Sequence, residues 1–204
     1  MVAALGSSVR ARWAPFFRNA NLPYPPPALA LLVFKRERRL EVWGRGADGP
    51  WHRLDMLPIL AASGLPGPKL RQGDRQVPEG IYRLVAFNPS SRFHLSMMLD
   101  YPNAYDVAIG EVDGRTELGG DIFIHGGADS IGCIAIGDRA IEDLFVLVAD
   151  TGMENVTVIV APHDPRDGIL LAPVPGLPFT ADLYRAIETA LIEFRAPSGI
   201  VPIR

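Results

Sequence analysis

Short apolar runs separated by turn residues dominate the hydrophobic pattern of the chain. Ala28–Phe34 and Arg39–Arg45 flank the polar turn Lys35–Arg38 and predict a β-hairpin, half-buried because Glu41 alternates with apolar neighbours. The same pattern predicts five more strands, at Trp51–Leu60, Gly80–Phe87, Phe93–Leu99, Asp121–His125 and Asn155–Ala161. Many short strands with regular turn signals are typical of a mainly antiparallel β-sandwich or a curled sheet.

Helical periodicity is confined to three segments, Ser8–Ala20, residues 138–149 and Ala181–Phe194. Pro15 is expected to interrupt the first helix, since proline removes an internal hydrogen bond. Asp138 and Thr180 are residue types that cap helix N-termini, and each precedes an apolar stripe of helical spacing. The predicted fold class is therefore mainly β with a few helices.

The chain of 204 residues is long enough for one well-cored domain, and 20 glycines and 19 prolines favour many turns. Tyr24–Pro27 is proline-rich and predicts a stiff linker. We expect a helical and linker segment at 1–27 and a main domain at 28–162. A proline-rich loop and a helix at 163–204 should pack on that domain.

Charge and composition exclude several classes of function. The formal net charge of −3 provides no basic surface for nucleic acid, and no apolar run approaches the ~18 residues of a membrane span. A single cysteine cannot form an intramolecular disulfide. Four histidines without paired ligand spacing argue against a zinc site, so we expect neither metal nor cofactor.

The segment Asp121–Asp138, DIFIHGGADSIGCIAIGD, contains the candidate chemistry. Cys133 follows His125 by eight positions, with Gly126 beside the histidine and Gly132 beside the cysteine. A thiol is a weak nucleophile near neutral pH, and a neighbouring imidazole can remove its proton. The pair therefore suits acyl transfer.

Backbone amides of Gly132 and Cys133 could stabilise the oxyanion of a tetrahedral intermediate, because glycine lets a substrate carbonyl approach. Ser130 could hold the histidine or Gly132 in place, or only cap a turn. The alternative is that Cys133 is a small buried hydrophobe beside Ile131, as free cysteines often are.

Three ordered motifs resemble the L,D-transpeptidase (YkuD-like) family. IHGGADSIGCIAIGD is similar to its active-site signature of His-Gly followed by Ser-x-Gly-Cys, and the short spacing resembles the YafK-type branch. Gly67–Tyr82 and Phe87–Asp106 resemble two further segments, so that the likeness covers residues 28–162. Ile131 and Ala135 depart from the wider family, and the YafK-type branch shares both departures.

The resemblance implies an L,D-transpeptidase (YkuD-like) β-sandwich catalytic domain that acts on peptidoglycan stem peptides. Cys133 would attack the carbonyl on the L-side of an L,D peptide bond, with meso-diaminopimelate as the acyl residue, and His125 would serve as base and then acid. Gly126 would help to orient the histidine, with Gly132 and Ser130 at the oxyanion site. Such an enzyme works in the periplasm or cell envelope, although no signal peptide is visible in the sequence.

Five further residues in the matched motifs are candidates for substrate binding, namely His94, Tyr101, Asn103, Lys69 and Arg71. The imidazole could line the donor cleft, and the two cations could bind a carboxylate. Ordinary alternatives are a surface histidine, a turn built by asparagine, and a solvated loop.

Transfer to an amine and hydrolysis share the same acyl-enzyme, so the residues leave both outcomes open. The hydrolytic outcomes are carboxypeptidase or amidase activity, including release of a peptidoglycan-linked lipoprotein. A rival interpretation is a different cysteine hydrolase in which Asp121 or Asp129 orients His125. Another rival is a peptidoglycan-binding module without catalysis, against which the intact Cys133 argues.

Overall fold

The computed structural model describes residues 2–195. Its strands are β1 (Ala28–Phe34), β2 (Arg39–Arg45), β3 (His52–Pro58), β4 (Ala61–Ala62), β5 (Gly80–Ser91), β6 (His94–Leu99), β7 (Phe123–His125), β8 (Ile134–Ala135) and β9 (Val156–Ala161). Its helices are α1 (Val2–Ala20), α2 (Ala104–Val112), α3 (Asp138–Thr151) and α4 (Thr180–Leu191). Single 3₁₀ turns lie at Met153–Asn155 and Pro165–Asp167. The mainly β class with a few helices is confirmed.

One nine-stranded sheet has the order β3-β2-β1-β9-β5-β6-β7-β8-β4. The long strand β5 joins its two halves, because residues 80–83 pair with β9 and residues 84–91 pair with β6. Most pairs are antiparallel, as expected, but β1 with β9 and β7 with β8 are parallel. The second parallel pair determines the geometry of the candidate active site.

Both faces of the central strands are buried. On β1, Leu29 and Leu31 belong to the main core, whereas Ala30 and Leu32 pack in a second cluster with residues of α4. This explains why β1 is a continuous apolar run, since a strand covered on both faces does not alternate. The expectation of a half-buried hairpin was wrong for β2, where Glu41 and Trp43 are 1% and 0% exposed.

The first helix is longer than predicted and runs through Pro15. Val9, Trp13 and Phe17 recur every fourth residue and are buried in the main core, so packing maintains the helix on both sides of the proline. No helix among residues 2–195 is long and apolar enough to cross a membrane.

Neither predicted cap caps its helix. Gly137 is the N-cap of α3, and the Asp138 carboxylate accepts a hydrogen bond from the Gly127 amide instead. Phe179 precedes α4, and the Thr180 hydroxyl donates to the Leu177 carbonyl. Both polar side chains therefore secure adjoining loops.

The second helix was not predicted. Asn103 accepts hydrogen bonds from the amides of Tyr105 and Asp106, and the Asp106 carboxylate accepts from the Asn103 amide. This reciprocal arrangement is a capping box, which starts a helix of nine residues where the sequence suggested only a turn.

Candidate active site

Parallel pairing of β7 and β8 brings His125 and Cys133 together. His125 lies opposite Ala135 in the register, and Cys133 is two residues before Ala135. Cys133 lies in the bend just before β8, so the pairing places its backbone near the end of β7 that carries His125.

The imidazole of His125 is fixed by its own turn. Its Nδ1 lies 2.6 Å from the Gly126 carbonyl oxygen, which can only accept, so Nδ1 carries the proton. The other nitrogen, Nε2, therefore retains the lone pair that a general base needs. The partner of Nδ1 is therefore a backbone carbonyl, whereas the rival interpretation expected the carboxylate of Asp121 or Asp129 there.

Phe93 covers the same ring. The centroids of the two rings are 4.6 Å apart with an interplanar angle of 35°, and His125 is only 2% exposed. A catalytic imidazole is expected to be reachable from solvent, and His125 is not. Burial lowers the pKa of His125, which favours neutral imidazole near pH 7.

Cys133 is half-buried, so it is not a core residue like its neighbours Ile134 and Ile136. Its Sγ lies 3.6 Å from the main-chain carbonyl oxygen of Asp121. Burial raises the pKa of the thiol, while the Phe123 amide and the Lys69 charge oppose that rise. Both pKa shifts favour the neutral thiol and the neutral imidazole near pH 7.

Ser130 organises the loop before the cysteine. Its hydroxyl donates to the Cys133 carbonyl at 2.6 Å and accepts from the Gly132 amide at 3.3 Å. Gly132 has φ +127°, a conformation that side chains rarely adopt, and a Cβ there would lie 3.5 Å from the Gln76 carbonyl oxygen. This backbone conformation therefore requires glycine. The hydrogen bond from the Gly132 amide to Ser130 occupies one of the two candidate oxyanion donors.

Gly126 lies where the surrounding atoms leave no space for a side chain. A Cβ at this position would lie 2.6 Å from the Phe93 carbonyl oxygen and 2.7 Å from a carboxylate oxygen of Asp138. Its amide donates to the Leu95 carbonyl, and its own carbonyl accepts from His125. The residue thus orients the histidine through its backbone.

Loop 67–79 forms the wall beside Gly132. Lys69 is 7% exposed, and its Nζ donates to the Arg71 carbonyl and to Asp74 at 2.7 Å. The Asp74 carboxylate also accepts from three backbone amides, and the ammonium and these amides lower its pKa. Lys69 is therefore occupied within the loop, whereas the Arg71 side chain is exposed.

The three other candidates are held by structural contacts. His94 Nε2 is 2.8 Å from a Glu142 carboxylate oxygen on α3. The Tyr101 hydroxyl donates to the Leu118 carbonyl at 3.1 Å, with the ring buried, and Asn103 caps α2. The contacts of these side chains do not join them to the cysteine.

Sequence reasoning missed Phe93, Asp74 and Asp138. The Asp138 carboxylate on α3 accepts a hydrogen bond from the Gly127 amide, and Phe93, in the β5–β6 turn, covers His125. All three residues lie within the matched motifs, but only the folded structure shows that their side chains contact the segments around His125 and Gly132. Residues 2–195 include no group of three His, Cys, Asp or Glu side chains that could share a metal ion.

The chain is similar to several known proteins. A family model described as the YkuD L,D-transpeptidase catalytic domain matches residues 29–160. The Escherichia coli K12 protein named "Putative L,D-transpeptidase YafK" is 35% identical over 140 residues, which are 66% of this chain and 54% of that protein. The protein of the same name from strain O157:H7 gives the same values. The chain spans about half the length of the curated relatives it matches.

Among solved structures, the helical cell shape determining protein Pgp2 from Campylobacter jejuni is similar to this chain. The TM-score is 0.55 at 27% sequence identity, covering 67% of this chain and 48% of Pgp2.

Proposed function

The chain belongs to the L,D-transpeptidase catalytic domain family, and from this premise we propose that it is a cysteine-dependent acyltransferase acting on peptidoglycan stem peptides. The observation that carries the proposal is the parallel β7–β8 pair, which has the tautomer-fixed imidazole of His125 at the end of β7 and the half-buried thiol of Cys133 directly before β8. The proposed place of action is the cell envelope, where the substrate is found.

In the proposed first step, the Cys133 thiol attacks the carbonyl carbon of the diaminopimelate residue while its proton passes to His125 Nε2. A tetrahedral oxyanion forms within reach of the Cys133 amide, and Gly132 can contribute once its bond to Ser130 yields. The protonated imidazole then donates to the departing amine of D-alanine, leaving a thioester on Cys133. An acceptor amine or water resolves the thioester.

Neutral resting groups support this order of events. Burial raises the pKa of the thiol and lowers that of the imidazole, so a thiolate–imidazolium pair is not favoured before substrate binds. General base catalysis at the moment of attack is therefore the mechanism that the electrostatics favour.

The test is trapping of the acyl-enzyme. Mixing the protein with a cell-wall tetrapeptide and quenching in acid should add the mass of the peptide minus its terminal D-alanine. Cys133 is the only thiol in the chain, so the adduct should map there, be absent from Cys133→Ala and be released by hydroxylamine. His52→Gln, on β3 at the other end of the sheet, is the matched control and should form the adduct normally.

Turnover that survives in Cys133→Ala would overturn the mechanism. If the adduct forms only with a lipoprotein-linked stem peptide, and not with tetrapeptide, the hydrolytic release of a protein becomes the better assignment. Product analysis of whole peptidoglycan would then distinguish the two, as new cross-links or as freed lipoprotein fragments.

A further inference from the structure

Asp74 organises the loop to which it belongs, and the proposed mechanism so far gives it no role. Its carboxylate accepts hydrogen bonds from the amides of Leu70, Arg71 and Gln76, at 2.8, 3.0 and 3.1 Å. It also pairs with the Lys69 ammonium at 2.7 Å. Hydrogen bonds to an ionised carboxylate are stronger than those between neutral groups, so four of them fix the conformation of this loop.

The backbone after Asp74 is held in a conformation that it would not adopt freely. Arg75 has φ +56°, in the left-handed region that residues other than glycine avoid. The Gln76 amide donates back to the Asp74 carboxylate, which closes a turn around Arg75. Such backbone strain persists only where neighbouring contacts impose it. Asp74 supplies those contacts, since its carboxylate bonds to the chain on both sides of Arg75.

This turn packs against Gly132. A Cβ added to Gly132 would lie 3.5 Å from the Gln76 carbonyl oxygen and 3.9 Å from the Arg75 carbonyl carbon. Gln76 is also anchored by its side chain, whose oxygen accepts a hydrogen bond from the Leu65 amide at 2.8 Å. The peptide between Arg75 and Gln76 therefore limits where the Gly132 backbone can lie.

We infer that Asp74 is a positioning residue, which acts through the peptide after Arg75 to hold Gly132 in place at the oxyanion site. This inference rests on the proposed function, in which the amides of Gly132 and Cys133 stabilise the tetrahedral oxyanion. Oxyanion donors are effective only when they are in position before the charge develops. Loss of the Asp74 carboxylate should therefore slow attack on a carbonyl without changing the thiol itself.

Two reactions of Cys133 separate the oxyanion site from the thiol. Acylation by a cell-wall tetrapeptide passes through a tetrahedral oxyanion. Alkylation by iodoacetamide does not, because the thiolate attacks the CH₂ carbon, a C–S bond forms, and iodide leaves with the electron pair of the C–I bond. Both reactions are followed across pH by quenched mass spectrometry, so that a change in the pKa of the thiol would appear in the alkylation profile.

Asp74→Asn is the test variant. It removes the charge and replaces one acceptor oxygen with an NH₂ group, which cannot accept from the backbone amides. We expect acylation to slow about tenfold to a hundredfold, the effect of a small displacement of catalytic groups, while alkylation keeps its rate and pH profile. Lys69→Gln removes the ammonium from the pair, and it should also lower acylation more than alkylation. The second variant tests the inference if Asp74→Asn does not fold.

Asp150→Asn is the matched control. Asp150 is also paired with a cation, since the Arg10 guanidinium lies 2.7 Å away, and its side chain is 15% exposed against 12% for Asp74. It lies near the C-terminal end of α3 and contacts α1 rather than the loop before the cysteine. Removal of its charge should leave the ratio of acylation to alkylation unchanged.

A ratio that stays unchanged in Asp74→Asn and Lys69→Gln would overturn this inference and leave the proposed function standing. This holds even if both rates fall together, because the loop would then act on the thiol or on the fold. A ratio that falls as far in Asp150→Asn would also overturn it. Absence of any acyl adduct in the unsubstituted protein, while iodoacetamide still labels Cys133, would instead remove the proposed function, and this inference with it.

Discussion

At the scale of single residues, the candidate base is defined by contacts that its own sequence neighbourhood does not reveal. The Gly126 carbonyl fixes the tautomer of His125, and Phe93 shields the ring from water at a centroid distance of 4.6 Å. Phe93 is itself 43% exposed, so it lies between the imidazole and solvent. If His125 is the base, as proposed, Phe93 acts on the reaction through the histidine and is a positioning residue.

Replacing Phe93 with alanine should change the pH dependence of acylation. Attack needs neutral imidazole, so the rate falls as pH drops through the pKa of His125, which burial holds below the ordinary value of about 6.5. The Phe93→Ala variant exposes the imidazole to water, which should raise its pKa toward 6.5. The fall in rate on acidification should therefore begin at a higher pH. At pH 6 we expect up to about a fourfold loss of rate, because an imidazole of pKa about 6.5 is roughly one quarter neutral there, and little loss at pH 8, measured by quenched mass spectrometry.

Phe16→Ala is the matched control for this prediction, since Phe16 is similarly exposed but lies on α1. It should leave the acid limb in place. An equal loss of rate at every pH in Phe93→Ala would mean that the ring acts on packing alone.

At the scale of elements, local patterns predicted what depends on neighbours in sequence. The bounds of β1 and β2 agree with the structure, because apolar runs and a polar turn determine a hairpin locally. The parallel β7–β8 pair could not be read in this way, because such pairing depends on contacts distant in sequence. Residue type and spacing suggested Cys133 and His125 as a candidate pair, and the resemblance to a family strengthened that prediction.

The helix α2 depends on local sequence, and its sequence pattern nevertheless failed to predict it. The residues of the capping box, Asn103 and Asp106, are also typical turn formers, and a helix of nine residues has little periodicity to reveal it. Asn103 was accordingly considered as a substrate-binding residue, whereas the structure gives its side chain to the helix start. The two roles make different predictions.

Asn103→Ala should reduce the free energy of unfolding by about 1 kcal/mol, the usual effect of losing an N-cap. Asn103→Ser retains a capping oxygen and should recover most of that loss, as measured by urea denaturation. If capping is its whole role, Asn103→Ser should also acylate at the normal rate. A stable Asn103→Ser protein with strongly reduced acylation would show that the amide contacts substrate instead.

At the scale of the whole molecule, helices cover both faces of the sheet, and a buried polar cluster connects the layers. Lys35 follows β1 and donates to the Gly67 and Val77 carbonyls and to Glu79 at 2.8 Å. Glu79 also accepts from the Tyr184 hydroxyl of α4 at 2.7 Å. The cluster thus joins the sheet, α4 and loop 67–79, which forms a wall of the candidate active site.

Glu79→Gln should therefore destabilise the whole fold. The Glu79 side chain is fully buried, and its removal as an anion leaves the Lys35 ammonium buried without a counter-charge, which costs about 3–5 kcal/mol. Adding Lys35→Met should restore part of the loss, because the uncompensated charge disappears. Glu154→Gln, on the surface, is the control and should stay within about 0.5 kcal/mol of the unsubstituted protein.

The deficit of Glu79→Gln should also depend on pH, with a sign that follows from Lys35. Burial lowers the pKa of this ammonium in the folded protein, and the loss of Glu79 lowers it further, whereas the unfolded chain keeps the ordinary value. Between the two pKa values the unfolded state binds the extra proton, so stability rises with pH across that window. Urea denaturation at pH 7 and pH 9.5 should show a smaller deficit at the higher pH. A deficit that is equal at both would mean that lost hydrogen bonds, and not the buried charge, account for the destabilisation.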